Sequence, residues 1–279
     1  MERLEELLGV PVERVTALGT GHAWTLSRVA LADGREVFVK AADDQAGAFA
    51  AEAAGLRWLR QGDDPPVPEV LAADERLLVL PWLPGEPATR AAAERFGREL
   101  AALHATGAPS FGAPWQGYIA HLPLDNTPGD RWPRWYAERR IAPFLRSAAR
   151  HLDAAETRLI ERVMDGIEAL AGPDEPPARI HGDLWSGNVL WSGGRGWMID
   201  PAAHGGHRET DLAMLALFGA PHLDRILAAY REAGPLADGW RARVALHQLH
   251  PLLVHVTLYG SAYRDAAVRA ARSALRASG

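Results

Sequence analysis

The sequence contains no cysteine among its 279 residues. This absence excludes disulfide frameworks, zinc sites built on thiolates and enzymes with a cysteine nucleophile. No apolar run approaches the roughly 18 residues that a membrane span requires. The opening segment, Met1 to Glu6, is acidic and amphipathic, unlike a secretory signal peptide. We therefore expect a cytoplasmic protein without a membrane partner.

Lysine and asparagine are also nearly absent. Of the 30 basic residues only Lys40 is a lysine, and asparagine occurs only at positions 126 and 188. Codon bias in a GC-rich genome explains the general shortage, in line with the many Ala, Arg, Gly and Pro residues. Arginine cannot replace a lysine that acts as a compact point charge, and aspartate lacks the amide donor of asparagine. The residues that escape the bias are therefore candidates for function.

The remaining composition is that of a folded globular chain. Hydrophobic residues make up 48% and charged residues 23%, and this length suits one large domain or two joined lobes. The net charge of −5 offers no support for nucleic-acid binding. Such a chain buries a core large enough to need no metal or disulfide for stability.

The pattern of residues predicts two lobes of different character. Strand-like segments fill residues 10–42, with Asp33-Gly34 as a hairpin turn, and a helical period follows over 45–60. Two more strands are expected near Val67–Ala72 and Arg76–Pro81. Beyond the connector at Pro84–Pro87 we expect mainly helices. They are a helix over residues 89–106, one over 131–150, a third helix that begins with a cap at Asp153, and helices over most of residues 208–275. A β-rich island is expected at 179–200. The prediction is an α+β chain with a small lobe, residues 1–84, and a large lobe, residues 85–279.

The most informative stretch is Ile180-His-Gly-Asp-Leu-Trp-Ser-Gly-Asn-Val-Leu-Trp191, followed by Ile199-Asp-Pro201. This is the spacing of a phosphotransferase catalytic loop. Asp183 would accept a hydrogen bond from the substrate hydroxyl, while Asn188 and Asp200 would offer oxygen ligands to Mg²⁺. A β-hairpin with polar turn residues is the alternative, and the His-Gly before it and the Ile-Asp-Pro after it argue against that alternative.

The small lobe supplies matching partners for ATP phosphates. The turn Gly19-Thr20-Gly21-His22 lies between two strand segments, where glycine lets backbone amides approach phosphates. Lys40 ends a strand, as the phosphate-binding lysine of a kinase does. Glu52 shares the apolar stripe of the following helix, so it needs a cationic partner, and Lys40 is the obvious one. The alternatives are an ordinary turn, a solvated lysine and a glutamate at the edge of the stripe.

Together these residues resemble the fructosamine kinases (ketosamine-3-kinases), within the protein-kinase-like and aminoglycoside phosphotransferase-like small-molecule kinases. The resemblance runs over nearly the whole chain. The specific motifs are His181-Gly-Asp-Leu-Trp-Ser-Gly-Asn188, Ile199-Asp-Pro-Ala202 and Gly206-His-Arg-Glu-Thr-Asp-Leu-Ala-Met214. Further pieces are Leu100 to His104, Phe111-Gly112, Leu122-Pro123 with Asn126, Ala229-Tyr230, Pro235-Leu236, His247-Gln-Leu249, His255 and Tyr259-Gly260.

The resemblance implies a two-lobed kinase fold that uses ATP and Mg²⁺ to phosphorylate the 3-hydroxyl of a ketosamine, such as a fructosamine or ribulosamine, which leads to deglycation of the amine. It places Trp185 near the sugar, with His255 as a further pocket residue, and the adenine contacts at Pro81, Trp82 and Leu83. Two departures from the family pattern are Pro81, where a glutamate is common, and His204-Gly205, which replaces an aromatic pair and bears on substrate preference.

Two other functions stay open from the sequence. One is a kinase for another amino alcohol, such as an aminoglycoside or choline, and the other is a non-catalytic nucleotide-binding protein. The amine carrier and the oligomeric state are not determined. His204, His207 and Asp211 have a spacing that resembles a metal site, but we favour structural roles, with Asp211 bonding loop amides and His181 holding the loop.

Overall fold

The structure, a computed structural model, describes residues 2–21, 24–42, 46–62 and 64–276. Within these ranges the chain passes from an antiparallel sheet with two helices to a mainly helical part. This is the α+β arrangement that the sequence predicts. The proposed division at residue 84 falls in the extended segment between the last strand of the sheet and the next helix, and it stays a prediction.

An antiparallel sheet forms the small lobe. Its strands are β1 Val12–Gly21, β2 Trp24–Leu31, β3 Glu36–Ala41, β4 Ala72–Ala73 and β5 Leu77–Pro81, and their spatial order is β1-β2-β3-β5-β4. The predicted Asp33-Gly34 turn between β2 and β3 is confirmed. The Gly34 amide donates to the Leu31 carbonyl at 2.9 Å, and the φ of Gly34 is 84°, a conformation that glycine adopts without strain.

Two helices accompany the sheet: α1 Glu2–Leu8 and α2 Ala46–Leu59. The second confirms the helix predicted over 45–60. Its apolar stripe, Phe49, Leu56 and Leu59, is fully buried against the sheet and the large lobe. Burial of this stripe fixes which way the helix faces, and therefore where Glu52 points.

The predicted strand over Val67–Ala72 is wrong, because only β4 pairs with β5 in this region. Val67 lies between Pro66 and Pro68, and proline has no amide hydrogen to give to a sheet ladder. The Val67 amide instead donates to the Pro65 carbonyl at 2.8 Å while its side chain is buried. The apolar residues of this segment serve the core without forming a strand.

Helices dominate the large lobe. They are α3 Arg90–Ala105, α4 Trp132–Tyr136, α5 Ala142–Ala148, α6 Ala154–Asp165, α7 Ile167–Leu170, α8 Glu209–Leu217, α9 Leu223–Ala233, α10 Trp240–Tyr259 and α11 Arg264–Arg276. Asp153 and Glu156 form the predicted capping box of α6. The helix predicted over 131–150 contains a π-helical segment, Ala137–Ile141, which ends two residues before Pro143, a residue that cannot donate to an α-helical turn. Across the described residues, every helix is too short or too polar to cross a membrane.

Three small antiparallel pairs complete the large lobe. Their strands are β6 Gly117–Ile119 with β7 Leu122–Leu124, β8 Ala178–Ile180 with β11 His204–Gly206, and β9 Val189–Ser192 with β10 Arg195–Met198. The last two pairs are the predicted β-island and its continuation. The β6–β7 hairpin is not predicted from the sequence. Residues of the β6–β7 pair and of α2 line the cleft between the lobes.

Candidate active site

The loop between β8 and β9 is held in place by Asp211 at the start of α8. The fully buried Asp211 carboxylate accepts hydrogen bonds from the amides of His181 at 2.7 Å and Gly182 at 2.9 Å. His104 Nε2 lies 3.1 Å from the same carboxylate. Burial alone would raise the pKa of Asp211, but these partners hold it below its ordinary value. The expectation that Asp211 binds loop amides is confirmed.

His181 links the loop after β8, which carries Asp183 and Asn188, to the segment after β10, which carries Asp200. Its Nε2 donates to the Ile199 carbonyl at 2.8 Å, and its Nδ1 accepts from the Asp183 amide at 3.3 Å. Burial lowers the pKa of His181, so the ring is neutral at pH 7 with its proton on Nε2. Both ring nitrogens are thus engaged in holding the loop, as predicted.

Asp183 and Asn188 meet across this loop. The Asn188 side-chain amide donates to the Asp183 backbone carbonyl at 2.8 Å and to its Oδ2 at 3.1 Å. Because the amide nitrogen of Asn188 faces Asp183, its amide oxygen points away from Asp183. Burial, reinforced by the charge of Asp200, raises the pKa of Asp183 to about 8. The carboxylate is therefore a stronger proton acceptor than an ordinary aspartate.

Lys40 reaches across the cleft to both lobes. Its Nζ lies 2.8 and 3.0 Å from the two oxygens of Glu52 on α2 and 2.6 Å from Oδ1 of Asp200. Burial lowers the pKa of Lys40, but the two carboxylates outweigh this effect and raise it. The same ammonium holds the pKa of Asp200 below its ordinary value although burial opposes this. The predicted pairing of Lys40 with Glu52 is present.

Asp200 itself sits in an unusual backbone conformation, with φ at 53°. Aspartate tolerates this left-handed region better than most residues, although at some cost in energy. The turn lets the side chain leave the strand direction of Ile199 and face the cleft, where 47% of it is exposed. It is therefore accessible to a ligand even while it pairs with Lys40.

A single cavity of about 200 Å³ brings the predicted residues together. Lys40, Glu52, Asp183, Asn188 and Asp200 all line it, and so do Trp185 and His255. Trp185 packs edge-on against Phe218 with ring centres 6.0 Å apart. His255 Nδ1 donates to the Pro251 carbonyl at 2.7 Å, and its ring lies 4.7 Å from that of Tyr263. The cavity thus has a charged end and an aromatic end.

The predicted glycine turn and hinge lie apart from the described lining of this cavity. Gly19, Thr20 and Gly21 form the end of β1, paired with β2, and the φ of Gly19 is 125°. His22 lies outside the described residues. At the hinge the Trp82 amide donates to the Glu36 carbonyl at 3.0 Å, so this donor is already engaged, and Pro81 and Leu83 flank it. Nucleotide contacts at both segments stay predictions.

Four aromatic residues of the cavity are not among the site residues predicted from the sequence: Trp24, Trp115, Tyr118 and Tyr259. Lys40 Nζ lies 5.0 Å from the centre of the Trp24 ring, within reach of a cation–π contact. The sequence signal for Trp24 is its place where a third glycine is usual. Trp115 precedes and Tyr118 belongs to a hairpin that the sequence does not predict, and only the tertiary structure brings them to the cleft.

A buried histidine cluster lies apart from the cavity. Ligand-capable atoms of His207, Glu209 and His247 lie within 4.8 Å of one another. Arg243 binds both Glu209 oxygens, at 2.9 and 2.5 Å, so a cation there would meet a guanidinium charge. His204 instead donates from Nδ1 to the Ala202 carbonyl at 2.8 Å. We interpret these groups as structural.

Comparison with known proteins identifies the family. The sequence model of the family described as "Fructosamine kinase" matches residues 2–277. The chain belongs to the fructosamine kinase family. A Thermus thermophilus protein named "Probable ketoamine kinase" is 34% identical over 253 residues, which cover 89% of this chain and 90% of that protein. The resemblance inferred from the sequence is confirmed.

Solved structures agree with this membership. A crystal structure from Thermobifida fusca, described as a candidate fructosamine-3-kinase, is 57% identical with a TM-score of 0.96, covering 99% of this chain and 98% of that one. An aminoglycoside phosphotransferase in ternary complex with ADP and hygromycin B is 18% identical with a TM-score of 0.64, covering 96% and 97%; this second likeness shows the fold. The fructosamine kinase fold is therefore protein-kinase-like, and the chain is an ATP-dependent phosphotransferase.

Proposed function

We propose that this fructosamine kinase transfers the terminal phosphoryl group of MgATP to the 3-hydroxyl of a ketosamine. The observation that carries the proposal is the meeting of Lys40, Asp183, Asn188 and Asp200 at one cavity with an aromatic far end. Phosphoryl transfer needs a positioned hydroxyl and neutralised phosphate charge. The charged end supplies groups for both tasks, and the aromatic end can receive an organic acceptor.

The oxygen donors of Asn188 and Asp200 suit magnesium. Mg²⁺ prefers hard oxygen ligands and commonly binds one or two protein side chains together with nucleotide phosphates and water. The half-exposed carboxylate of Asp200 and the amide oxygen of Asn188, which points away from Asp183, fit that donor set. When bound, Mg²⁺ supplies charge neutralisation at the transferring phosphoryl group. Lys40, positioned by its hydrogen bonds to Glu52, would hold the ATP phosphates beside it.

Asp183 would orient the acceptor. Its carboxylate lines the cavity beside Asn188, where it can accept a hydrogen bond from the attacking hydroxyl. The hydrogen bond from Asn188 to Oδ2 fixes the plane of the carboxylate. The hydroxyl oxygen attacks in line as its proton passes toward Asp183. No phosphoenzyme is required.

The aromatic end of the cavity suits the amine of a ketosamine. A protonated secondary amine over the indole of Trp185 would gain about 0.5–2 kcal/mol from a cation–π contact. Trp185 is 38% exposed, so one face of the ring is open to a ligand. Phosphorylation at the 3-position makes the sugar adduct unstable, and its breakdown would release the original amine, which is deglycation.

A panel of acceptors tests the proposal. Purified protein with MgATP is offered a fructosamine, a ribulosamine, an aminoglycoside and choline, and ADP release is measured. We expect ADP release with the ketosamines, and loss of it in Asp183→Ala. Turnover of an aminoglycoside or choline without any ketosamine would contradict the proposed substrate class. Nucleotide binding without turnover of any acceptor would contradict an enzymatic role.

A further inference from the structure

Helix α2, which carries Glu52, presents a second face to the large lobe. Gly47, Ala51, Gly55 and Trp58 recur at intervals of four, four and three residues, so they form one stripe along the helix. This stripe differs from the apolar stripe of Phe49, Leu56 and Leu59. A helix with glycine at two positions of one face allows a neighbouring group to approach its backbone closely.

The large lobe fills this stripe at three points. A side-chain β-carbon at Gly47 would lie 2.5 Å from the hydroxyl of Tyr118, so the tyrosine ring rests directly on the helix backbone. One at Gly55 would lie 3.0 Å from the Ala203 side chain, three residues after Asp200. Farther along, Trp58 packs edge-on against Trp115 with ring centres 5.6 Å apart. The large lobe thus packs against this stripe of α2 at both of its ends and in its middle.

Two of these contacts come from one short element, residues 115–124, which contains the β6–β7 hairpin and is called the clasp below. A buried pair behind it fixes its position. Arg140 donates to the side-chain oxygen of Asn126 at 2.6 Å and to the Asp125 carbonyl at 2.7 Å. The Asn126 side chain packs against Gly117, where a β-carbon would lie 2.6 Å from its nitrogen. One of the two asparagines of the chain therefore supports the clasp.

We propose that Tyr118, on strand β6 of the clasp, is a positioning residue for the nucleotide site, although it lies on the lobe that would hold the acceptor. By resting on Gly47 it fixes α2, and α2 holds Glu52 on Lys40. The clasp also lines the cavity through Trp115 and Tyr118. The inference rests on the proposed function, since it assigns a cause to the affinity of that same site for ATP.

A double-mutant cycle on Gly47 and Tyr118 tests the contact. Binding of MgADP to the full chain is measured by calorimetry, well below the unfolding temperature of each variant. Gly47→Ala places a methyl group against Tyr118, and we expect it to weaken binding roughly 3- to 10-fold, within the range of couplings carried by packed residues. Alanine favours a helix more than glycine does, so this loss would not reflect a weaker helix.

The second arm and the control separate the contact from general damage. Tyr118→Ala should also weaken MgADP binding, whereas adding Gly47→Ala to it should cost nothing further, because the clashing ring is gone. Arg57→Ala is the control, because it shortens an exposed side chain of the same helix that belongs to neither stripe. We expect this control to bind MgADP as the wild type does.

Three outcomes would overturn the inference. Wild-type affinity in Gly47→Ala and Tyr118→Ala would overturn it while leaving the proposed function intact. If the two substitutions reduce MgADP affinity additively in the double variant, then Gly47→Ala does not act through its contact with Tyr118. A wild-type chain that binds no MgADP would defeat the proposed function, and this inference with it.

Discussion

The lone lysine allows a sharp test, because arginine keeps its charge but not its shape. Lys40 is 2% exposed, and its Nζ is held by three carboxylate oxygens at 2.6 to 3.0 Å. A guanidinium is planar and larger, so Lys40→Arg would overpack this site at a cost of about 1–3 kcal/mol. Misplacing the charge would also lose a charge-assisted hydrogen bond worth about 1.5–3 kcal/mol.

The expected result is a fall in kcat/KM for ATP of roughly 10- to 150-fold, as the lost hydrogen bond implies. Initial rates at varied ATP concentration measure it, with thermal unfolding as a check that the variant is folded at the assay temperature. Lys40→Met, which removes the charge, gives the value of kcat/KM expected when the lysine makes no contribution. An arginine variant with more than about a third of the wild-type kcat/KM would refute the reasoning. Arginine would then serve at position 40 as well as lysine does.

Three further results are expected. Asp183→Ala should lower kcat by about 10²–10⁴-fold with MgADP affinity nearly unchanged, as rate and binding assays would show; full activity would remove Asp183 from the mechanism. Asp211→Asn should lower the free energy of unfolding by about 1–3 kcal/mol in urea titrations, because one amide of the loop loses its acceptor; an unchanged midpoint would contradict this. Burial tends to raise the pKa of Glu209, but its contacts with His247 and Arg243 lower this pKa to about 2. Its contribution of roughly 3 kcal/mol relative to Glu209→Gln should be complete above pH 5 and shrink as the pH falls toward 2, and a difference independent of pH would argue otherwise.

Local sequence patterns predicted the catalytic loop and the Lys40–Glu52 pair. The spacing from Asp183 to Asn188 is set within one short turn, so it can be read directly from the chain. Glu52 could be placed because helical periodicity puts it on a stripe with Phe49 and Leu56, where burial demands a partner. The capping box at Asp153 is local for the same reason. Each of these features can be predicted because its contacts join residues close together in the sequence or because a buried charge requires a partner of opposite sign.

Other features depend on contacts between distant segments. The clasp consists of strands of three residues, too short for a periodic signal, and its contact with Gly47 joins positions some seventy residues apart in the sequence. The apolar residues around Val67 resemble a strand, yet the prolines beside it remove the donors that a sheet needs. Trp24 enters the cavity through the geometry of the β1–β2 hairpin. None of these follows from local propensity.

The position of the new phosphate in the product tests the central claim most directly. The enzyme is incubated with MgATP and a fructosamine, and phosphorus–proton correlation in the NMR spectrum identifies the carbon that bears the phosphate. The account predicts a single phosphate ester at carbon 3, formed in step with ADP and followed by release of the amine. An ester at any other hydroxyl, or ADP formed without a phosphorylated sugar, would contradict it.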